Sequence, residues 1–363
     1  MENKKRICFV AQFPPPMHGL SKAVETLYNS SLSDEFELEK VDITNNKKFI
    51  HTITLILKSK ADLFYFTISQ TIGGNIRDLI ILKLFELKKK KVVVHLHGGY
   101  YRKLVDNDMK PWQRKANYEA MSKIDGAIVL GPSLKWIFEG MISSDKIYTV
   151  PNCVDDEFLM SDDEFEEKLV RVEKENIHHV LWLSNFIRSK GYPIVLEMAK
   201  LEKERVDKGE QKKFHFDFAG KFFEKSEEEY FWKFINDNEL NDYITYHGVV
   251  VGDKKRELLK KCIFFSLPTR YPNEGQPISI LEAMGNGMVI LTTDHAGIPD
   301  IAEDGVNGFI CKPDYDSSVY YMEHIIHCIF KTIIKYNRLT VTCEYKENSY
   351  IENMIKLFRG VLQ

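Results

Sequence analysis

Apolar runs rich in β-branched and aromatic residues alternate along the chain with stretches whose apolar positions recur every three to four residues. Short strand-like runs followed by amphipathic helical segments are the pattern of βα units and a parallel sheet. In the first half the spacing predicts strands over residues 6–13, 62–67, 92–97, 126–130 and 146–150. Helical stretches lie between most of them, among them 21–29, 78–86 and 133–139. A highly charged stretch, residues 155–175, then interrupts the alternation with Asp162-Asp163-Glu164 and Glu166-Glu167, and predicts a domain boundary. The alternation resumes with strands over 179–184, 214–219, 243–247, 262–267 and 288–292. Helical segments follow them, notably 227–238, 254–260 and 278–285. The economical reading is two doubly wound, Rossmann-like α/β domains in series, residues 1–160 and 161–346. The last segment reads as a helix over 350–362, apolar at Ile351, Met354, Ile355 and Phe358, with residues 347–363 packing back on the first domain.

The most informative stretch runs from Pro268 to Gly287. A strand ends, a polar loop follows, and a helix is predicted to begin near Pro277, where a missing N–H costs nothing. The free N–H groups beyond it and the positive end of the helix dipole make an anion site. In open α/β sheets, ligands bind at this location, the carboxyl end of a strand. Two carboxylates flank it: Glu274 in the loop and Glu282 in the second turn of the helix, with seven residues between them. Helical side chains lean toward the N-terminus, so Glu282 points back at the same ligand. Beside a bound diphosphate, carboxylates make sense as acceptors for sugar hydroxyls, Glu274 on a hexose and Glu282 on a ribose. The bland alternative for Glu282 is the exposed face of an ordinary helix. Ile278, Ile280, Leu281, Ala283 and Met284 leave little polar face for that, and a carboxylate among them needs a partner to offset its desolvation.

The run Glu274-Gly275-Gln276-Pro277-Ile278-Ser279-Ile280-Leu281-Glu282 closely resembles the signature of glycosyltransferase family 4. That resemblance implies a retaining enzyme of the two-domain GT-B fold, its domains facing a central cleft. The Glu-Gly-Gln-Pro variant is similar to members that build bacterial surface polysaccharides. The likeness runs through most of the chain. Residues 150–155 resemble the family's interdomain junction, with Cys153 where glycine is usual. Residues 183–191 resemble the phosphate-binding segment, and Lys190 matches the lysine that meets the donor diphosphate. Residues 297–300 and 303–308 resemble the closing turn and strand. The family usually carries an arginine where this chain has Asn185; Arg188, three residues on, could restore the cation or could simply face solvent. On this likeness Gly275, Gln276, Pro277 and Ile278 line the donor with Asn185 and Arg188.

Two candidates lie in the first half. The loop after the first strand ends in His18-Gly19, where the family has two adjacent glycines, so only Gly19 carries over; it would let a phosphate approach the backbone. The strand over 92–97 ends in His95 and His97, on one side by the period of two. His97 lies nearer the ligand end and matches the family's His before Gly; the alternative is a satisfied core histidine. The other large glycosyltransferase fold holds a divalent ion with Asp-x-Asp. Asp106-Asn107-Asp108 and Asp314-Tyr315-Asp316 fit that pattern, but about one match is expected by chance in a chain of this length. Lys190 and the helix N-terminus can neutralise charge instead, so no metal and no cofactor is expected, the nucleotide sugar being a substrate.

Composition sets the limits. With 363 residues, two domains are the default, and 44% hydrophobic with 28% charged residues excludes a disordered chain or a membrane bundle. No apolar run approaches the roughly 18–20 residues that span a bilayer. The opening lysines and apolar run faintly suggest a signal peptide, but Gln12 and the prolines at 14–16 cut it off, and a first strand is the better reading. Six scattered cysteines without metal-ligand spacing fit reduced thiols in a cytoplasm. Residues 1–150 hold 23 basic and 16 acidic side chains, a balance of +7, and residues 151–363 a balance of −10. This asymmetry and Lys88-Lys89-Lys90-Lys91 point to an anionic membrane surface or a lipid-linked acceptor for the first domain; a solvated charge distribution is the alternative. Nothing points to a nucleic acid.

The reading is a metal-independent hexosyltransferase, cytoplasmic and peripheral at the inner membrane face. It uses a nucleotide-diphosphate sugar, expected to be a UDP-sugar, and a glycan or lipid-linked acceptor. Glu274, His97 and Lys190 carry the chemistry. Two rivals share the architecture: a non-catalytic partner subunit and a nucleotide-sugar epimerase.

Overall fold

The computed structural model describes residues 4–15, 19–312 and 316–363. The chain divides into two units, one of Met1–Cys153 with Glu347–Gln363 and one of Val154–Lys346. The first unit is built on six parallel strands: β1 (Arg6–Ala11), β2 (Glu37–Asp42), β3 (Leu63–Thr67), β4 (Lys91–His95), β5 (Gly126–Val129) and β6 (Ile147–Thr149), in the order β2-β1-β3-β4-β5-β6. The longer helices between them are α1 (Gly19–Tyr28), α2 (Phe49–Lys58), α3 (Ile72–Lys88) and α4 (Pro111–Met121). The central strands β1 and β3 to β5 are buried almost throughout, which is why they read as continuous apolar runs. The edge strand β2 gives no such run. Its Glu37 and Glu39 pair with Arg6 of β1, and charge on an edge keeps it from recruiting another strand. The helix expected over 133–139 is instead a short 3-10 segment, Pro132–Ile137.

The second unit repeats the plan with β7 (His178–Leu183), β8 (Phe214–Ala219), β9 (Ile244–Tyr246), β10 (Phe264–Leu267), β11 (Val289–Thr293) and β12 (Gly308–Cys311), all parallel, in the order β12-β11-β10-β7-β8-β9. Its longer helices are α5 (Asp162–Val172), α6 (Tyr192–Asp207), α7 (Lys225–Asp237), α8 (Gly252–Lys261), α9 (Ile278–Gly285), α10 (Ser317–Ile326) and α11 (Phe330–Glu344). Alternate residues of the strands feed two cores: Trp182, Phe216, Phe218 and Phe264 on one face, Leu181, Phe265, Leu267 and Ile290 on the other.

The charged stretch over 155–175 is not a linker. It folds into α5, whose acidic first turn sits at the positive end of the helix dipole. A reciprocal capping box between Ser161 and Glu164 starts it, and Phe165, Leu169 and Val172 bury its inner face. The boundary therefore lies at Cys153–Val154 rather than at 160–161, since Val154 is fully buried in a second-unit core and its N–H donates to the Tyr345 carbonyl at 2.8 Å. The chain then returns to the first unit as α12 (Glu347–Leu362). Phe358 packs edge-on against Phe9, Phe36 and Tyr65, and Tyr350 and Met354 join the same core.

Candidate active site

The strand order of the second unit reverses between β7 and β10, since the chain builds outward from β7 on one side and from β10 on the other. Such a switch point opens a crevice at the carboxyl ends of the two strands, because the loops leaving them turn to opposite faces. Those loops carry the candidate residues: 184–191 after β7 and 268–277 after β10.

The two loops are tied together. The Arg270 N–H donates to the Ser189 carbonyl at 2.7 Å. Gly191 has φ +89°, and a Cβ there would sit 2.4 Å from the Pro268 carbonyl oxygen, so only glycine allows the approach. This contact brings Lys190 Nζ within 3.3 Å of Glu274 Oε2 and 5.1 Å of the Tyr271 ring centroid. Glu274 is buried, and its Oε2 also accepts from Thr269 Oγ1 at 3.1 Å. The loop is clamped from the β11 side. Thr293 Oγ1 donates to the Thr269 carbonyl at 2.5 Å, a ring nitrogen of His295 lies 2.7 Å from the Tyr271 carbonyl, and the Gly297 N–H donates to the Gly275 carbonyl at 2.8 Å. A carboxylate and an ammonium are thus held at fixed positions beside a helix N-terminus.

That helix is α9. It spans Ile278–Gly285, the segment expected, with Pro277 as its N-cap rather than its first helical residue. Gly275, Gln276 and Pro277 are buried beside it. The N–H groups of Ile278 and Ser279 have no preceding helical turn to bond and point along the axis toward the loop. Glu282 is buried in the second turn, and the partner its desolvation demands is Lys255 of α8, whose Nζ donates to Oε1 at 2.6 Å. The far end of α9 is held as firmly. Arg338 donates to the Gly285 carbonyl at 2.9 Å, and Lys168 Nζ donates to the carbonyls of Asn286, Cys262 and Leu259 at 2.8, 2.7 and 3.2 Å. Cations at the C-terminal carbonyls complement the dipole that favours an anion at the other end.

The remaining candidates are placed as follows. Arg188 does not lie with Lys190 and Glu274: its Nε is 3.2 Å from Glu227 Oε1, and its guanidinium stacks 4.3 Å above the Tyr230 ring. Asn185 is exposed in the same loop. His97 follows β4 in the first unit and is half-buried, its ring 3.9 Å from that of His95. His95 is a core residue: its Nδ1 is 2.7 Å from the Tyr65 hydroxyl, and burial holds its imidazole well below its usual pKa, so it is neutral. Gly19 is the first residue of α1, exposed at the carboxyl end of β1. The Asp-x-Asp at 106–108 is spent on protein groups, Asp106 on Arg102 and Tyr118 and Asp108 on Tyr100. The other, Asp314-Tyr315-Asp316, lies partly outside the described residues. Thr269, Tyr271 and Lys255 were not among the expected site residues. No spacing in the sequence links Lys255 to Glu282, because the contact is between two helices.

Residues 161–337 match the family model described as "Glycosyl transferases group 1". A protein of the cps region of Klebsiella pneumoniae, itself uncharacterised, is 25% identical over 299 residues, 77% of this chain and 74% of its own length. A putative colanic acid biosynthesis glycosyltransferase of Salmonella typhimurium is 24% identical over 136 residues, 35% of this chain and 33% of its own. Among solved structures, Anabaena HepE in complex with UDP superposes with a TM-score of 0.74 over 98% of this chain and all of its own, at 13% identity. The match to the glycosyl transferases group 1 model takes in most of the second unit, and the chain is a glycosyltransferase of the GT-B fold.

Proposed function

We propose that this enzyme moves a hexose from a UDP-sugar to a hydroxyl of a glycan or lipid-linked acceptor in bacterial surface polysaccharide synthesis, with retention and without a metal ion. The observation that carries the reading is the Lys190–Glu274 pair, fixed at 3.3 Å at the switch point and beside the N-terminus of α9. The UDP in Anabaena HepE and the colanic acid relative support the choice of donor and pathway class. Lys190 and the first N–H groups of α9 stabilise the charge on the departing diphosphate. Glu274 accepts hydrogen bonds from the sugar hydroxyls and Glu282 from the ribose. The bond from the anomeric carbon to the phosphate oxygen breaks while the bond to the acceptor oxygen forms on the same face. The acceptor's proton passes to the departing phosphate oxygen, and UDP leaves.

The first unit supports a membrane-side role. Ile50 of α2 and Ile72, Ile76, Ile80 and Leu87 of α3 are exposed, the three isoleucines of α3 forming a stripe at intervals of four. Exposed Lys47, Lys48, Lys58, Lys83 and Lys89 stand on or next to the same two helices in the chain, Lys83 paired with Glu86. Exposed apolar side chains and cations on the same helices suit an anionic lipid surface. The lysine run contributes less than its count suggests, since Lys88 bonds the Leu57 carbonyl and Lys91 lies 3.2 Å from Asp125. No described helix is long and apolar enough to cross a membrane.

A panel of nucleotide sugars tests the reading. UDP-sugars should raise the melting temperature, by about 2.7 kcal/mol of added stability at ~100 times the dissociation constant. With acceptor present, NMR should show the donor's anomeric configuration kept in the product and EDTA should leave the rate unchanged. Conversion of donor to an epimer without acceptor would point instead to the epimerase, and a rate abolished by EDTA would overturn the metal-free chemistry.

A further inference from the structure

The second sheet carries a polar cluster that the transferase reading does not use. β7 and β8 are in register with His179 opposite His215, so both imidazoles lie side by side on one face. Asp217 is two residues further along β8 on the same face, opposite Thr245 of β9. His247 follows two residues after Thr245. His179 Nδ1 is 2.5 Å from Asp217 Oδ2, and His247 Nε2 is 2.7 Å from Asp217 Oδ1. The Asp217 side chain is wholly buried, whereas those of His179 and His247 are about a fifth to a quarter exposed, at 19% and 25%. Solvent therefore reaches the imidazoles while the carboxylate forms the floor.

We infer that His179, His215 and Asp217 form a binding site for a zinc-class divalent cation, separate from the donor site. One ligand atom from each lies within 4.8 Å of the other two, and among the described residues this is the one group of three such side chains that meets that spacing. Two imidazoles and a carboxylate are the donor set that borderline ions prefer, with water or a fourth protein ligand completing the tetrahedron. Ligands about 2.0–2.1 Å from zinc lie roughly 3.3 Å apart, so the His179–Asp217 contact at 2.5 Å must open and the wider spacings close. His247, already on the second oxygen of Asp217, orients the carboxylate in the way that outer partners fix metal ligands. Lys261 Nζ, 3.5 Å from Asp217 Oδ1, competes for the same charge, but its side chain is 42% exposed and free to swing into solvent. His179 and His215 lie at the amino-terminal ends of their strands, whereas Lys190 and Glu274 follow the carboxyl ends. The cation would brace β7 against β8 and take no part in sugar transfer.

The competing account is a metal-free brace in which two histidines hold a buried carboxylate. His215 separates the two, because its Nε2 bonds Thr245 Oγ1 at 2.8 Å and it stands outside that brace. Untagged protein titrated with Zn²⁺ by calorimetry should bind one equivalent, and Co²⁺ should give the visible absorption of a tetrahedral site. His215→Ala should lose at least tenfold in Zn²⁺ affinity while its metal-free melting temperature stays near wild type. Lys261→Met should bind Zn²⁺ more tightly. Zinc should raise the wild-type melting temperature without changing the transfer rate. No stoichiometric binding, or equal affinity in wild type and His215→Ala, would overturn the site and leave the transferase reading untouched.

Discussion

At Glu274 the carboxylate already has two protein partners, Lys190 and Thr269, which the sugar of the proposed reaction would join. A carboxylate so tethered loses little entropy on binding, which is what a positioned acceptor needs. Glu274→Gln keeps the shape and removes the charge, so turnover should fall by about 10²–10³-fold with UDP affinity nearly unchanged, as steady-state kinetics and calorimetry would show. Glu282→Ala should do the reverse, weakening UDP by about 1.5–3 kcal/mol for a lost charged hydrogen bond. Arg188 is held by Glu227 and Tyr230, away from Lys190. Arg188→Ala should therefore cost about tenfold in rate against about 10²–10³-fold for Lys190→Ala; equal losses would show that Arg188 leaves Glu227 for the phosphates. The two carboxylates were read as candidates because they sit at a fixed offset along one loop and helix, and Lys190 because it stands in the motif after β7. Thr269 and Lys255 were not, because their roles come from contacts between segments that no local spacing records.

At the scale of elements, α9 is held at both ends by charge, and its register sets where its N–H groups point. Lys168 of α5 is the deepest of these clamps, fully enclosed and donating to three carbonyls. Lys168→Met leaves those acceptors without a donor and should cost about 3–5 kcal/mol in denaturant unfolding. Burial pushes the Lys168 ammonium down to about 7. Between that value and its ordinary 10.5 the unfolded chain binds a proton that the folded chain does not, so this residue's contribution rises with pH. The cost of Lys168→Met should accordingly grow from pH 7 to pH 9, and a cost that shrinks over that range would contradict the shift. Ten of the twelve strands among the described residues were expected from apolar runs, since strands covered on both faces must be apolar throughout. β2 and α5 were hidden for one reason: both are charged where they meet solvent, and the residues that bury them are too few to form a run.

On the scale of the whole chain, the first unit exposes the isoleucine stripe of α3 beside Ile50 of α2. The protein should co-sediment with anionic phospholipid vesicles at low salt and release as salt rises, since basic residues near such a surface contribute about 1 kcal/mol each. Replacing Ile76 and Ile80 with aspartate should abolish the binding, and equal binding by that variant would remove the membrane from the account. The repeat of two Rossmann-like sheets was legible from the alternation of elements, but the return of α12 to the first unit has a further consequence. The first core needs Phe358, Met354 and Tyr350, and these residues follow the entire second unit along the chain. During synthesis the face of β1 and β3 that receives Phe358 stays uncovered until residues 154–346 have been made, about 10–40 s at 5–20 residues per second. The second unit, unbroken in sequence, is free to fold first, and the first is finished last. A chain cut after residue 346 should thus hold a folded second unit tethered to a first unit whose core lacks one wall.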